Sequence, residues 1–451
     1  MLKIFKSGRK VYREIRKTTI QKRSFLSEAY RCEDSWKARF QSSLLQKFDP
    51  ADLFLMLDQK YMTAGKVSAV DVDIFANTIR SVQQVEELMI LLQNLRRSSE
   101  ATNILESTHY AVVRYLLDND HTKELIDVLY NKLSYGIIPD NLTYNLLMDT
   151  YIKRKDYANA AKVAALVMLQ EDTENPITNS LSIYACFKYL ENPDTWQKPP
   201  EPVDDSKEEI KVRVDYLRNP YFDDHFDLTD PRDLVGKTLA FQGKAMNDTL
   251  GRTCQLRGLI LYKKYKDALK LVKDWLSKVE GNVVYEEVFK LIEEDNESIP
   301  KDQVPSELEN VMSEINVLKQ GNLCADSLME ALESNVKSAV DKQHDLDVKE
   351  QEQKYIDWEA KRQVVLNNQL EEINRLARIE NVNKMKESLA KEERLLTFFE
   401  NEEKIELEIE RLEREEKDEM ERVRQMPRSQ KKLRKLVCIC IKFGLRSRIR
   451  L

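Results

Sequence analysis

Tyr135-Gly136-Ile137-Ile138-Pro139-Asp140-Asn141-Leu142-Thr143-Tyr144-Asn145-Leu146-Leu147-Met148-Asp149 is the stretch on which the fold turns. Gly136 can enter the left-handed conformation that ends a helix, and Pro139 stops that helix from continuing. Leu142 to Asp149 then opens an amphipathic helix that runs to Ile152-Lys153-Arg154-Lys155-Asp156-Tyr157. Beyond it, Ala160, Ala161, Val163 and Ala164 supply the small packing residues of a second helix. Working outward, Tyr110 stands thirty-four residues before Tyr144, and Phe75 thirty-five before Tyr110, each opening an apolar helix. Tyr265-Lys266-Asp267-Ala268-Leu269-Lys270 repeats the pattern of Tyr157-Ala158-Asn159-Ala160-Ala161-Lys162 at an offset of 108, close to three periods of 36. A period of about 35 with two helices per unit marks a helical-hairpin solenoid.

Composition agrees. Gly 10 and Pro 12 in 451 residues are too few for the hairpins and glycine-rich loops of β or doubly wound α/β folds. Charged residues at 33% and hydrophobics at 42% suit long solvated helices, so the chain reads as all-α.

Charge is distributed in three blocks. Residues 1–27 carry +8 and residues 426–451 carry +9, which leaves -23 between them out of the net -6. A surface that clamped nucleic acid along its whole length would not hold that deficit, so basic contacts are local. Ile4, Val11 and Ile15 share one helical face among Lys3, Lys6, Arg9, Lys10, Arg13, Arg16 and Lys17, the composition of a matrix-targeting segment. Arg23-Ser24-Phe25-Leu26-Ser27 offers a place for a processing peptidase to cut. The longest apolar run, Leu436–Ile441, falls far short of a membrane span of ~20 residues, so no membrane is expected as a partner. The six cysteines form no disulfide framework, and Cys438-x-Cys440 lacks the second pair a zinc site needs.

Here the residues meet a family. Gly136-Ile137-x-Pro139-Asp140, followed by Thr143-Tyr144-Asn145-x-Leu147-x-Asp149 and Ile152-Lys153, resembles the pentatricopeptide repeat. The unbroken string 135–149 resembles, more specifically, a family of helical small-subunit proteins of the mitochondrial ribosome. The resemblance is strongest over 105–190, weaker at Lys22–Tyr30 and 236–272, and fades after about 300. It implies a targeting peptide, a helical-repeat domain, a charged helical carboxy-terminal part and a seat on the small subunit in the mitochondrial matrix. The basic, cysteine-containing tail departs from the pattern.

The expected organisation is a transit peptide at 1–27, a helical-repeat domain at 28–190 and a Pro-rich acidic insertion at 191–235. Further helical repeats follow at 236–300, then a linker with helix at 301–345, a long charged helical region at 346–425 and a basic tail at 426–451. The fold is thus a pentatricopeptide-like repeat solenoid followed by a long charged helix. Acid-leading pairs such as Glu410/Arg414 and Glu413/Lys417 support that helix, whose apolar residues hold no single heptad register.

Catalytic chemistry finds no footing. Pro231-x-x-x-x-Gly236-Lys237-Thr238 mimics a phosphate loop but lacks its first glycine and the strand before it. Gly236, Gly243, Gly251 and Gly258, spaced seven, eight and seven, read better as close helix packing. The four histidines lie at no metal-ligand spacing, so no enzyme, cofactor, metal or small-molecule substrate is expected.

RNA is the expected ligand. Lys153, Arg154 and Lys155 in one hairpin turn, and Lys263, Lys264 and Lys266 in the equivalent turn of another, offer phosphate contacts. In the resembling repeat family, Asn145 stands where a side chain can face a base of single-stranded RNA. Three functions follow: a structural component of the mitochondrial small subunit touching its ribosomal RNA and neighbouring ribosomal proteins; a free RNA-binding regulator of messenger stability or translation; or a helical scaffold without RNA. The acidic middle with local basic patches favours the first.

Overall fold

The computed structural model describes residues 25–196, 223–279, 281–297 and 306–425. The basic segment 1–24, most of the Pro-rich stretch and the basic tail with Cys438 and Cys440 lie outside the described residues. The chain divides into two compact units, Met1–Gln363 and Val364–Leu451. Among the described residues it is all-α, and no helix is long and apolar enough to cross a membrane.

The first unit opens with α1 (Glu33–Ala38) and α2 (Pro50–Ala64). Helical pairs follow: α3 (Ala69–Thr78) with α4 (Val85–Arg97), α5 (Glu106–Asp118) with α6 (Thr122–Tyr130) and the short α7 (Lys132–Tyr135), and α8 (Asn141–Arg154) with α9 (Tyr157–Leu169). Then come α10 (Pro176–Leu190), α11 (Pro231–Ala245), α12 (Thr249–Leu261), α13 (Tyr265–Lys278), α14 (Glu287–Glu297) and α15 (Ser306–Leu318). The long α16 (Leu328–Leu396) and α17 (Phe398–Gln425) complete the described chain.

Caps and turns explain where these helices begin and end. An Asp or Asn N-cap followed by proline opens α2, α10 and α11, with Asp49, Asn175 and Asp230 accepting from first-turn N–H groups. Proline at the first helical position is a start signal. Helix α11 therefore begins at Pro231, ahead of the boundary at 236 that the proline count implied. Three hairpin turns are built alike. Asp120, Lys155 and Lys263 sit at φ 60°, 61° and 62°. The next N–H in each case reaches back five residues: His121 to Leu116, Asp156 to Tyr151 and Lys264 to Leu259. This is the Schellman closure of a helix end.

These turns fix the register. Asp120 and Lys155 are 35 residues apart, so Tyr110 corresponds to Asn145 and not to Tyr144. The two tyrosines point differently as a result. Tyr144 packs toward the end of α9, where Gln170 Nε2 donates to its hydroxyl at 2.6 Å. Tyr110 meets Trp36, Tyr355 and Trp358, with ring centroids 4.9, 5.6 and 5.5 Å away.

The four glycines lie two on each helix of one pair. A Cβ added at Gly236 would stand 2.7 Å from Leu261 Cβ, and one at Gly243 2.7 Å from the Gly251 carbonyl oxygen. Helices α11 and α12 thus meet backbone to backbone. The would-be phosphate loop is the first two turns of α11, where Thr238 donates to the Leu234 carbonyl. Beyond it, Ile260, Val272, Val288, Ile292, Val311 and Ile315 share a second core.

Helix α16 begins at Leu328, eighteen residues before the expected start of the charged helical region at 346. Up to Gln363 it presents a buried stripe that includes Leu332, Val336, Asp347, Gln351, Trp358 and Arg362. In the second unit, its remaining residues and α17 leave Leu370, Ile373, Leu376 and Phe399 exposed.

Candidate nucleic-acid interface

Helices α3, α5, α8 and α10 pack side by side as a row of first helices. In this chain residues 335–362 of α16 make the contacts there.

The contacts descend α16 in reverse order of the row. Asn335 Nδ2 donates to Ser180 Oγ on α10 at 3.0 Å. Asp347 accepts from Tyr30 Oη at 2.6 Å and from Asn175 Nδ2 at 3.2 Å. Lys354 Nζ lies 3.4 Å from Asp140, the N-cap of α8. Tyr355 donates to the Tyr110 hydroxyl on α5 at 2.7 Å. Arg362 Nε donates to Asp73 on α3 at 2.6 Å, and both side chains are buried. Ser107 and Thr108 also donate to Asp73, and Arg362 reaches Glu359 with its other arm. A buried ion pair holds only with such added hydrogen bonds.

The electrostatics follow from this closure. Burial, with the Asp347 charge added, pushes the Tyr30 phenol far above its usual range, so it stays a neutral donor. Burial likewise lifts the Tyr110 phenol to about 12. His109, behind Tyr110 on α5, is pushed below its usual value by burial. Its Nδ1 accepts the Ile138 N–H at 3.4 Å.

Asn145 is the residue expected to face a base. It is 0% exposed, and its Nδ2 donates to the Tyr30 hydroxyl at 2.9 Å. A base could reach it only if Tyr30 and α16 left. Its hydrogen-bond partner is Tyr30 of the same chain.

The basic turn residues are placed at equivalent turns, and most are already paired. Lys153 lies 3.1 Å from Asp149 and 3.9 Å from Glu28. Arg154 pairs with Asp120, the left-handed residue of the preceding turn. Lys263 and Lys264 meet Asp233 at 2.9 Å and Asp224 at 2.6 Å. Lys266, on the first turn of α13, meets Glu307 at 3.1 Å but leaves 78% of its side chain exposed. Lys155 is exposed, with no ion pair among the described residues. The two turns therefore offer single charges more than basic patches.

Asp73, Asp347 and Arg362 were not singled out from the sequence. An eleven-residue spacing joins Val336, Asp347 and Trp358, and again Gln351 and Arg362. Eleven residues make three helical turns, so this period was the available signal. The family model described as mitochondrial 28S ribosomal protein S27 matches residues 1–388.

Proposed function

We propose, from the premise that this chain belongs to the mitochondrial 28S ribosomal protein S27 family and so sits on the small ribosomal subunit in the mitochondrial matrix, that it is a structural and non-catalytic part of that particle. It touches ribosomal RNA by charge and without reading bases. It meets neighbouring ribosomal proteins through its acidic helices.

The observation that supports this reading is the occupant of the first-helix row. A protein that read bases there would keep Asn145 open, and here it bonds Tyr30, which is itself hydrogen-bonded to Asp347. Phosphate contacts fix position and carry no sequence information, which suits isolated exposed charges such as Lys155 and Lys266. Helix α17, with twelve acids against six basic residues over Phe398–Gln425, is suited to basic protein surfaces. A free regulator of messengers would need the row vacant.

The test uses the two lysines that substitution frees from the least structure. Lys155→Glu together with Lys266→Glu should weaken co-sedimentation with small subunits, and raising salt should weaken the wild type in the same direction. Unchanged association would remove these lysines from the interface. Selection from randomised RNA should enrich no single motif; strong enrichment of one would favour the regulator.

A further inference from the structure

A polar cleft of about 260 Å³ lies between α16 and the amino-terminal ends of α8 and α10. That is room for one side-chain head and a few waters, and too little for most drug-sized ligands. Asp347 and Gln351 are its buried members, Asp140 and Lys354 are half-buried, and Glu174 and Glu350 are exposed at its mouth. Asp347 is satisfied, with Oδ1 accepting from Gln343 Nε2 at 2.9 Å and Oδ2 from Tyr30 at 2.6 Å. Gln351 is not. It is 1% exposed, and its Oε1 has no hydrogen-bond partner among the described residues. Its Nε2 lies near the Tyr355 hydroxyl but short of a hydrogen bond. A buried acceptor left unmatched costs stability, so a donor that completes it is favoured to bind.

Charge decides what kind of donor. The carboxylates of Asp140, Glu174, Asp347 and Glu350 face the single ammonium of Lys354. Lys354 Nζ is 2.9 Å from Glu350 and 3.4 Å from Asp140, so two acids share it. Three net negative charges remain. The amino-terminal ends of α8 and α10, each worth roughly half a positive charge, reduce that to about two. The open positions are all acceptors: the Glu174 carboxylate, the second oxygen of Glu350 and Gln351 Oε1. Among the described residues no three carboxylate, His or Cys side chains come together to hold a metal ion. The group that fits is an organic cation rich in N–H donors.

We propose that this cleft receives an arginine side chain of a basic neighbouring protein on the small subunit. The proposal rests on the reading that the chain meets such neighbours through acidic surfaces, and it names the place and the residue type. A guanidinium carries several N–H donors in a rigid planar fork and no acceptor. It is also more weakly hydrated than an ammonium, so it enters a half-closed cleft at lower cost. One edge of the fork meets a carboxylate at the mouth in a bidentate pair, and a further N–H completes Gln351 Oε1. The exposed acids supply the attraction, and the buried amide fixes how deep the head group sits.

Two measurements test this. The first titrates the full chain with N-acetyl-arginine methylamide, or with N-acetyl-lysine methylamide, and follows carbodiimide labelling of Glu174 and Glu350 by mass spectrometry. The arginine compound should protect both carboxylates at a several-fold lower concentration than the lysine compound. Equal potency, or no protection by either, would overturn the assignment to arginine. Gln351→Met removes the unmatched amide and nearly keeps its volume. It should leave the melting temperature of the free chain unchanged or higher, yet weaken protection about tenfold, as expected for one lost hydrogen bond to a charged group. Glu174→Gln, at an exposed position that spares the fold, should weaken protection of Glu350 about threefold. Protection as strong as in the wild type, in either variant, would overturn the proposal. The second measurement labels native small subunits, where Glu174 and Glu350 should react more slowly than in the free chain. Labelling at the free-chain rate would overturn the proposal and leave the small-subunit reading standing, whereas a chain that does not sediment with small subunits would overturn that reading first. A benzophenone amino acid in place of Leu346, one turn before Glu350 and 58% exposed, should cross-link to an arginine-bearing peptide of a ribosomal protein. Cross-linking to ribosomal RNA instead would overturn the proposal.

Discussion

One helix contains two different lessons. From Leu328 to Gln363, α16 buries Leu332, Val336, Asp347, Gln351, Trp358 and Arg362. From Val364 to Leu396 it continues as helix, with Leu370, Ile373, Leu376, Met385 and Leu389 between 56% and 65% exposed. Residue composition hardly separates the halves. Partners do. The first half is held by groups from α3, α5, the N-cap of α8 and α10, whereas the second relies on propensity and on surface pairs such as Glu380–Lys384. An isolated helix in water is marginal, and most helical stability comes from tertiary packing. Helix formation and helix docking are therefore separate properties here, and each can be broken without the other.

The largest expected effect comes from the aromatic anchor. Trp358 is 7% exposed, packs on Tyr110 and Tyr355, and lies within 3.4 Å of Glu106. Trp358→Ala should destabilise docking by about 3–5 kcal/mol. Ile373→Ala, at 63% exposure in the other half, should change stability by no more than about 0.5 kcal/mol. Hydrogen exchange along α16 reads both, because local opening free energies differ with packing. Similar effects in the two halves would break the contrast.

Next stands the ion pair. Arg362→Ala leaves Asp73 charged and buried with only Ser107, Thr108 and Asn77 as donors. Breaking a buried pair by removing one partner costs about 3–5 kcal/mol. The three remaining donors place the expected loss at the lower end of that range. Replacing both partners, Asp73→Asn with Arg362→Met, should recover much of it, since the buried charge is then gone. A double variant as unstable as the single one would show that shape, and not charge, fixes this end of α16.

These contacts also show what the sequence made legible. The hairpins could be read, because Gly136, Pro139 and the alanines at 160, 161 and 164 act locally. Helix α17 could be read from charge pairs such as Glu410/Arg414 and Glu413/Lys417. The docking could not. Three of the eight buried residues of α16 are polar or charged, and Asp347 or Arg362 looks solvent-facing until Tyr30 and Asp73, 317 and 289 residues away, are placed beside it. The burial of Asn145 was hidden for the same reason, its partner Tyr30 being 115 residues distant. The pairing of Arg154 with Asp120, and of Lys264 with Asp224, is likewise non-local. Local signals gave elements; long-range polar partners decided which surfaces remained open.

A pH experiment separates the regions further. His109 is held neutral by burial, its pKa in the folded chain lying below the unfolded value of about 6.5. The unfolded chain therefore binds more protons between those two values. Stability is full above about 6.5 and falls as pH drops below it. His109→Gln should remove that part of the slope, read as opening of α5 by hydrogen exchange at pH 5 and pH 7. Residues 364–425 contain no histidine, so their exchange, corrected for the chemical rate, should be flat over the same interval.

The smallest effect sharpens the contrast most cleanly, because distance is held nearly constant. Glu380 and Lys384 stand 2.7 Å apart in the exposed half of α16, against 2.6 Å for Asp73 and Arg362. Their side chains are 67% and 68% exposed, where those of the other pair are 0% and 4%. Water screens the exposed pair, and an i,i+4 contact with the acid leading is worth about 0.3–0.5 kcal/mol. Glu380→Gln should cost no more than that, and raising salt to 1 M should erase the difference as the Debye length shrinks to about 3 Å. The effect of Arg362→Ala should survive the same salt, since ions do not enter a buried contact. Equal salt sensitivity at the two sites would mean that Arg362 is not sealed from solvent, and the docked half of α16 would then resemble the exposed one.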